Sequence, residues 1–211
     1  MTLQNLIVGI SGEKGAGKST LLQRLAGEEP SIALIDTLGE HETLFPVFPG
    51  SPREQVLALA EPPETFRWSF LLDPDHEAKH FNALCRAAYR SGDMTFCVEE
   101  ADRYSSAVKD LPGLKIMYDY GRHRRINLVW LTRNLATISR KLTSQTDVFY
   151  FFRQNEPKYV KDLADRIGAM GEPYPAVAEQ LAQEILNLPK YSYVLAAKGH
   201  QPSRGTVTVE S

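Results

Sequence analysis

Cysteine is scarce in this chain of 211 residues. Cys85 and Cys97 stand alone, and no CxxC occurs. Both fall in apolar stretches, so two buried free thiols are expected rather than a disulfide, and a reducing compartment is the simplest setting. Long apolar runs are also missing, with none near the roughly 20 residues that span a bilayer. The first residues have no basic segment or small-residue cleavage site before a strand-like run at 6–10, so no secretory leader is expected. Charge of one sign is lacking too. A formal net charge of −2 means that a nucleic-acid partner would need basic residues concentrated locally or pooled over subunits. Gly and Pro are at ordinary levels, and there is no internal repeat or low-complexity tract, which excludes disorder as the default. What remains is a chain 43% hydrophobic and 24% charged, suited to one soluble domain with a full core.

Apolar runs bounded by turn residues alternate with helical periodicity. Strands are expected at 5–10, 31–35, 66–71, 94–98, 126–131 and 147–152. Helices are expected at 18–26, 75–90 (capped by Asp75), 114–125, 158–167 and 176–186. The proline-rich stretch 37–65 reads as loop with one short helix at 53–60. Residues 191–197 and 205–209 would close the sheet edge. This alternation implies an α/β sandwich with a mainly parallel sheet.

The decisive segment is Gly12-Glu13-Lys14-Gly15-Ala16-Gly17-Lys18-Ser19, followed by Thr20. It fits G-x-x-x-x-G-K-[ST] at every fixed position, with a strand entering and a helix leaving. Glycines let the backbone curl its N–H groups around phosphates, and the helix N-terminus adds its dipole. Lys18 is expected on the β- and γ-phosphates, and Ser19 on magnesium. The reading is ATP with Mg2+. A second, acidic site is expected where the apolar run 94–98 ends in Glu99-Glu100. Glu99 would hold the metal and Glu100 would polarise the attacking water, which points to hydrolysis. The run 126–131 ends in Thr132-Arg133-Asn134 and is preceded by Gly121-Arg122-His123-Arg124-Arg125. Arg122 and Arg124, ahead of Arg125, are candidate fingers reaching into a neighbouring subunit's ATP. The alternative is a solvated basic helix end. His76-Glu77-Ala78-Lys79-His80 matches the zinc-protease pattern H-E-x-x-H. Its place at a helix opening favours solvated histidines instead. Arg153 is a weaker finger candidate.

Together these segments resemble the HerA/FtsK superfamily of P-loop ATPases. The resemblance is carried by residues 12–20, by Asp36…Gly39-Glu40 as D-x-x-G-E, by the acid pair followed by Ala101, and by 121–134. Leu142-Thr143-Ser144-Gln145-Thr146-Asp147 is similar to the family's L-x-S-Q-[AT]-D. Two positions depart from the pattern: Glu99 stands where Asp is usual, and Arg133 where Gln is usual. Asn134 is then expected to sense the γ-phosphate. The resemblance implies a RecA-like P-loop NTPase, a three-layer sandwich, with residues 1–198 as the motor domain and 199–211 as a C-terminal tail or edge hairpin. It implies a homo-oligomeric ring, a pentamer or hexamer, that moves double-stranded DNA past basic residues such as Lys109, Lys115, Arg140, Lys141 and Arg204. The compact length is most similar to viral genome-packaging ATPases. That implies a place in the host cytoplasm or the virion, and docking on a capsid vertex or viral membrane protein. The alternatives are a P-loop phosphotransferase or a non-translocating nucleotide switch.

Overall fold

A computed structural model describes residues 5–37, 39, 45–154 and 156–208. Its strands are β1 (Ile7–Ser11), β2 (Ser31–Ile35), β3 (Phe66–Phe70), β4 (Met94–Val98), β5 (Ile126–Thr132), β6 (Val148–Phe152), β7 (Ser192–Ala197) and β8 (Ser203–Thr206). They form one sheet in the order β3-β2-β4-β5-β1-β6-β7-β8. The first six are parallel, while β7 and β8 run antiparallel at one edge. β1, β2, β4, β5 and β6 are buried along their whole length. This is why they read as continuous apolar runs rather than alternating ones.

The helices are α1 (Lys18–Gly27), α2 (Pro52–Ala60), α3 (Glu77–Ser91), α4 (Pro112–Tyr120), α5 (Arg140–Gln145), α6 (Val160–Gly168) and α7 (Ala178–Leu186). They cover the sheet unevenly. One face takes α1 through Leu21, Leu22 and Ala26, packed on Val8, Ile10, Val129 and Leu131. The other takes α3, α4, α6 and α7, packed on Ile7, Phe96, Leu128 and Trp130. Successive residues of β1 and β5 therefore feed opposite cores, as strand geometry requires. The result is a three-layer α/β sandwich with a mainly parallel sheet, as the sequence implied.

Local sequence accounts for most boundaries. Ser51 and Glu54 form a reciprocal capping box at α2, with Pro52 opening the helix. α3 buries Phe81, Leu84, Cys85 and Ala88 at helical spacing. It starts at Glu77, not at 75, and Asp75 does not cap it: the Asp75 amide donates to Asp73 Oδ1 at 3.0 Å. The expected helix 114–125 is α4 followed by a tighter 3-10 turn over Gly121–Arg124. α5 was not anticipated. Its six residues are RKLTSQ, too few and too polar to show a period, and Ser139 caps it by accepting from the Leu142 amide. Cys85 and Cys97 are buried free thiols. Among the described residues no helix is long and apolar enough to cross a membrane.

Gly9 faces the larger core. A Cβ there would lie 2.6 Å from Trp130 and 2.9 Å from Phe149, whose rings meet edge to face at 5.7 Å. Gly9→Ala should therefore lower the unfolding free energy by about 1–3 kcal/mol through overpacking. A shifted denaturant midpoint at unchanged slope would show it, and an unmoved midpoint would refute the packing account.

Candidate active site

β1 ends at Ser11, and the chain turns over the sheet edge through residues 12–17 into α1. Gly12 donates its N–H to Thr132 O at 3.2 Å, and a Cβ on it would fall 2.5 Å from Phe152 Cβ. Gly17 precedes α1 at φ 111°, where a side chain would be strained and would also meet Val207 at 2.8 Å. No side chain caps α1, and no acidic residue lies in its first turn. Its first N–H groups thus have no side-chain acceptor, and with the helix dipole they suit an anion. The Lys18 ammonium lies inside the loop, donating to Gly12 O at 2.8 Å and Glu13 O at 2.9 Å. Burial, and then the positive charge of Arg133, lower its pKa to about 8, opposed by Glu99, Asp102 and Glu13. Such an arrangement is chemically suited to a polyphosphate.

The acidic side of the site comes from β4. Glu99 is buried and accepts from Ser19 Oγ at 3.3 Å. Glu100 follows at φ 46°, ψ 51°, a left-handed conformation uncommon for Glu and typical of functional turns. Its carboxylate is ion-paired with Arg133. Lys14, Gly15, Lys18, Ser19, Glu99, Glu100 and Arg133 thus line one cleft. β5 lies between β1 and β4, so the residues just past β5 face both the loop and the acid pair. Thr132 closes this end by donating to Asp102 Oδ1 at 3.1 Å.

The other expected residues lie elsewhere. Thr20 continues α1. Asn134 adjoins the cleft, but its Oδ1 accepts from the Ala136 amide at 2.9 Å, and it is Arg133 that reaches Glu100. Arg122 and Arg124 precede β5, roughly 20 Å along the strand from Thr132. Arg122 binds Asp147 Oδ2 at 2.7 Å. Arg124 donates to Tyr89 O and Arg90 O at the C-terminal end of α3. Arg125 pairs with Asp93. Asp36 follows β2, is fully buried and accepts from the Gly39 amide at 2.9 Å; Leu38 and Glu40 lie outside the described residues. Within H-E-x-x-H, Glu77 accepts from Arg103 at 2.7 and 2.5 Å and from Tyr104 at 2.9 Å, tying α3 to the turn after the acid pair. His80 is buried rather than solvated, and burial lowers its pKa.

Sequence reading missed two braces of the loop. Arg153 pairs with Glu13 and receives the Glu13 N–H on its carbonyl at 2.9 Å. Gln154 donates to Ser11 Oγ at 2.7 Å. Both lie about 140 positions from their partners, with no local signal to link them. At the antiparallel edge, Tyr191 donates its N–H to Ala16 O at 3.2 Å, and Val207 packs beside Gly17. Tyr191, just before β7, and Val207, just after β8, thus reach the phosphate loop.

No protein-family model matches the chain, and no curated protein sequence does. Solved structures match its fold over nearly the whole length. The genome packaging NTPase B204 from Sulfolobus turreted icosahedral virus 2, in complex with AMPPCP, superposes with a TM-score of 0.76 at 16% identity, covering 97% of this chain and 99% of that one. B204 of Sulfolobus turreted icosahedral virus, a DNA-packaging ATPase, gives 0.71 at 17% identity, covering 99% and 100%. EccC of Thermomonospora curvata (ATPases 2 and 3) gives 0.56 at 13% identity, covering 98% of this chain and 37% of that one. The chain therefore has the fold of viral packaging NTPases of the kind its sequence resembles.

Because Lys18 titrates near pH 8 when the cradle is free, anion binding there should take up a proton at higher pH. Affinity for a nucleoside triphosphate should fall progressively as pH rises above about 8. Calorimetry in buffers of different ionisation enthalpy would detect the uptake. A flat affinity between pH 7.5 and 9.5 would contradict the assignment of Lys18.

Proposed function

We propose that this chain is an ATPase that moves double-stranded DNA as a homo-oligomeric ring, most specifically a viral genome-packaging motor. The observation that carries the reading is the acid pair Glu99-Glu100 facing a phosphate cradle across an intervening strand. Gly12, Glu13, Lys14, Gly15, Ala16, Gly17, Lys18, Ser19 and Thr20 would surround the phosphates of ATP. Lys18 neutralises the β- and γ-phosphates, and the α1 N-terminus stabilises charge as it develops. Magnesium, when bound, supplies charge neutralisation, and the hard oxygens of Ser19 and Glu99 are the donors suited to it. Glu100 accepts the proton of the attacking water. The 3.3 Å approach of Ser19 to Glu99 supports this division of labour. The fold shared with B204, which was solved in complex with an ATP analogue, supports nucleotide binding. Arg122 and Arg124 point away from the chain's own site, so any finger role is one exercised on a neighbour in a pentamer or hexamer.

DNA translocation needs a cationic surface that reads no sequence. A shallow groove around residues 107–120 and 139–141 offers one. Lys109 and Lys115 line it, and neither is in an ion pair among the described residues. Arg140 and Lys141 also line it but pair with Asp162 at 3.0 Å and Asp119 at 2.7 Å. Arg204 pairs with Glu184 at 2.7 Å at the far edge. The turn carrying Val108 (94% exposed) is held rigid from beneath, because the buried Asp110 accepts from Ser105, Tyr118 and Ser139. One alternative has its own support: a cavity of about 260 Å3 beside Arg133 would suit the acceptor of a phosphotransferase. That reading requires turnover to depend on an added acceptor. The viral motor would work in the host cytoplasm or at the virion, docked on a capsid vertex or viral membrane protein.

Glu100→Gln should cut turnover by at least about a hundredfold while keeping ATP binding. Hydrolysis at the unaltered rate would remove Glu100 from the mechanism. Lys109→Glu with Lys115→Glu should weaken DNA binding equally for unrelated sequences and lower the salt slope by about 2. Unchanged binding would place the DNA elsewhere.

A further inference from the structure

Asp162, in the first turn of α6, is shared by two arginines that face different parts of the molecule. Its Oδ1 accepts from Arg140 at 3.0 Å and its Oδ2 from Arg166 at 2.6 Å. Arg140 opens α5 with a side chain 61% exposed, and it lines the cationic groove. Arg166, one turn further along α6, is buried. Its guanidinium also donates to Ile138 O at 2.9 Å, Ala136 O at 3.4 Å and Thr143 Oγ1 at 3.2 Å. It therefore fixes the backbone that joins β5 to α5. Asp162 and Ala136 in turn wall the cavity that Glu13 and Lys14 of the phosphate loop also line. Asp165 lies 3.8 Å from Arg140, but among the described residues Asp162 is the carboxylate bonded to both arginines. One side chain thus stands between the groove and the nucleotide side of the chain.

While Asp162 holds Arg140, the two charges cancel and the groove gains little attraction for an anion. A DNA phosphate is a competing acceptor for the same guanidinium, whose fork suits its oxygens. The pair it must break is exposed on the arginine side, and such pairs are weak. Once Arg140 leaves, Asp162 has Arg166 as its remaining cation. The buried guanidinium is then drawn toward the carboxylate and away from the neutral carbonyls of Ala136 and Ile138, because a bond between charged partners is the stronger one. We propose that Asp162 is a positioning residue that couples DNA to hydrolysis: a DNA phosphate displaces it from Arg140, and the freed carboxylate acts through Arg166 on the backbone beside the phosphate loop. The inference rests on the DNA-translocase reading and adds to it the side chain through which DNA is felt.

The test compares Asp162→Asn, Asp165→Asn and Arg140→Gln with the unaltered protein. Affinity for a duplex of mixed sequence is measured over a range of salt, beside ATP hydrolysis without DNA and with saturating DNA. Asp162→Asn should bind the duplex about two- to fivefold more tightly, with a salt slope steeper by about 1, because Arg140 is no longer held. Its stimulation by DNA should nonetheless be lost. Asp165→Asn should bind slightly more tightly and keep its stimulation. Arg140→Gln, which leaves the pair of Asp162 with Arg166 in place, should bind more weakly and show no stimulation even when saturated; it decides alone if Asp162→Asn does not fold. Stimulation that survives in Asp162→Asn or in saturated Arg140→Gln overturns the inference, as does a DNA affinity unmoved in Asp162→Asn. An equal loss of stimulation in Asp165→Asn also overturns it, because surface charge alone would then explain the effect. If the unaltered protein hydrolyses ATP but neither binds DNA nor responds to it, the DNA reading fails and the inference with it.

Discussion

A half-buried ammonium fixes the arrangement of this molecule. Lys18 is partly withdrawn from water into a loop where two backbone carbonyls accept from it, a position that charge tolerates only with compensation nearby. The compensation is supplied by Glu99 and Asp102, both from the turn after β4, and by Glu13 of the loop itself. Delivering them requires β1 at the centre of the sheet, β4 within reach, and the loop pressed against Phe152. The same demand accounts for the glycines: Gly12 has no room for a Cβ, and Gly17 has a backbone that resists one.

Parallel strands collect their carboxyl ends along one rim, and ligands of such sheets bind at that rim. Here the rim holds the phosphate loop after β1, the acid pair after β4, Thr132 ending β5 and Arg133 after it, and Arg153 and Gln154 after β6. The amino ends of the strands gather a different population. Arg122, Arg124 and Arg125 are all engaged there with carbonyls or carboxylates of their own chain. The sheet therefore separates chemistry from scaffold, and the antiparallel edge presses Tyr191 and Val207 onto the loop from the side.

How much of this was legible in the sequence depended on how local the signal was. The phosphate loop is one continuous motif, and the central strands are continuous apolar runs, so both could be read directly. The acid pair was legible because it ends such a run. Arg133 was visible only as a departure from a pattern; its partner Glu100 lies 33 positions away and meets it through strand order. Arg153 showed nothing but its charge, and it braces Glu13 from 140 positions away. α5 is too short and polar for periodicity. His80 is turned inward on α3, a burial that its place near the helix opening does not signal. Pairings set by the sheet, and not by neighbours in the chain, were the part out of reach.

The central claim is an ATPase cycle coupled to DNA within a ring. Steady-state ATP hydrolysis, measured with and without double-stranded DNA over a range of protein concentrations, tests it most directly. The account predicts stimulation by DNA and a rate per subunit that rises with concentration as neighbouring subunits assemble. A rate that is flat with concentration and indifferent to DNA would contradict it.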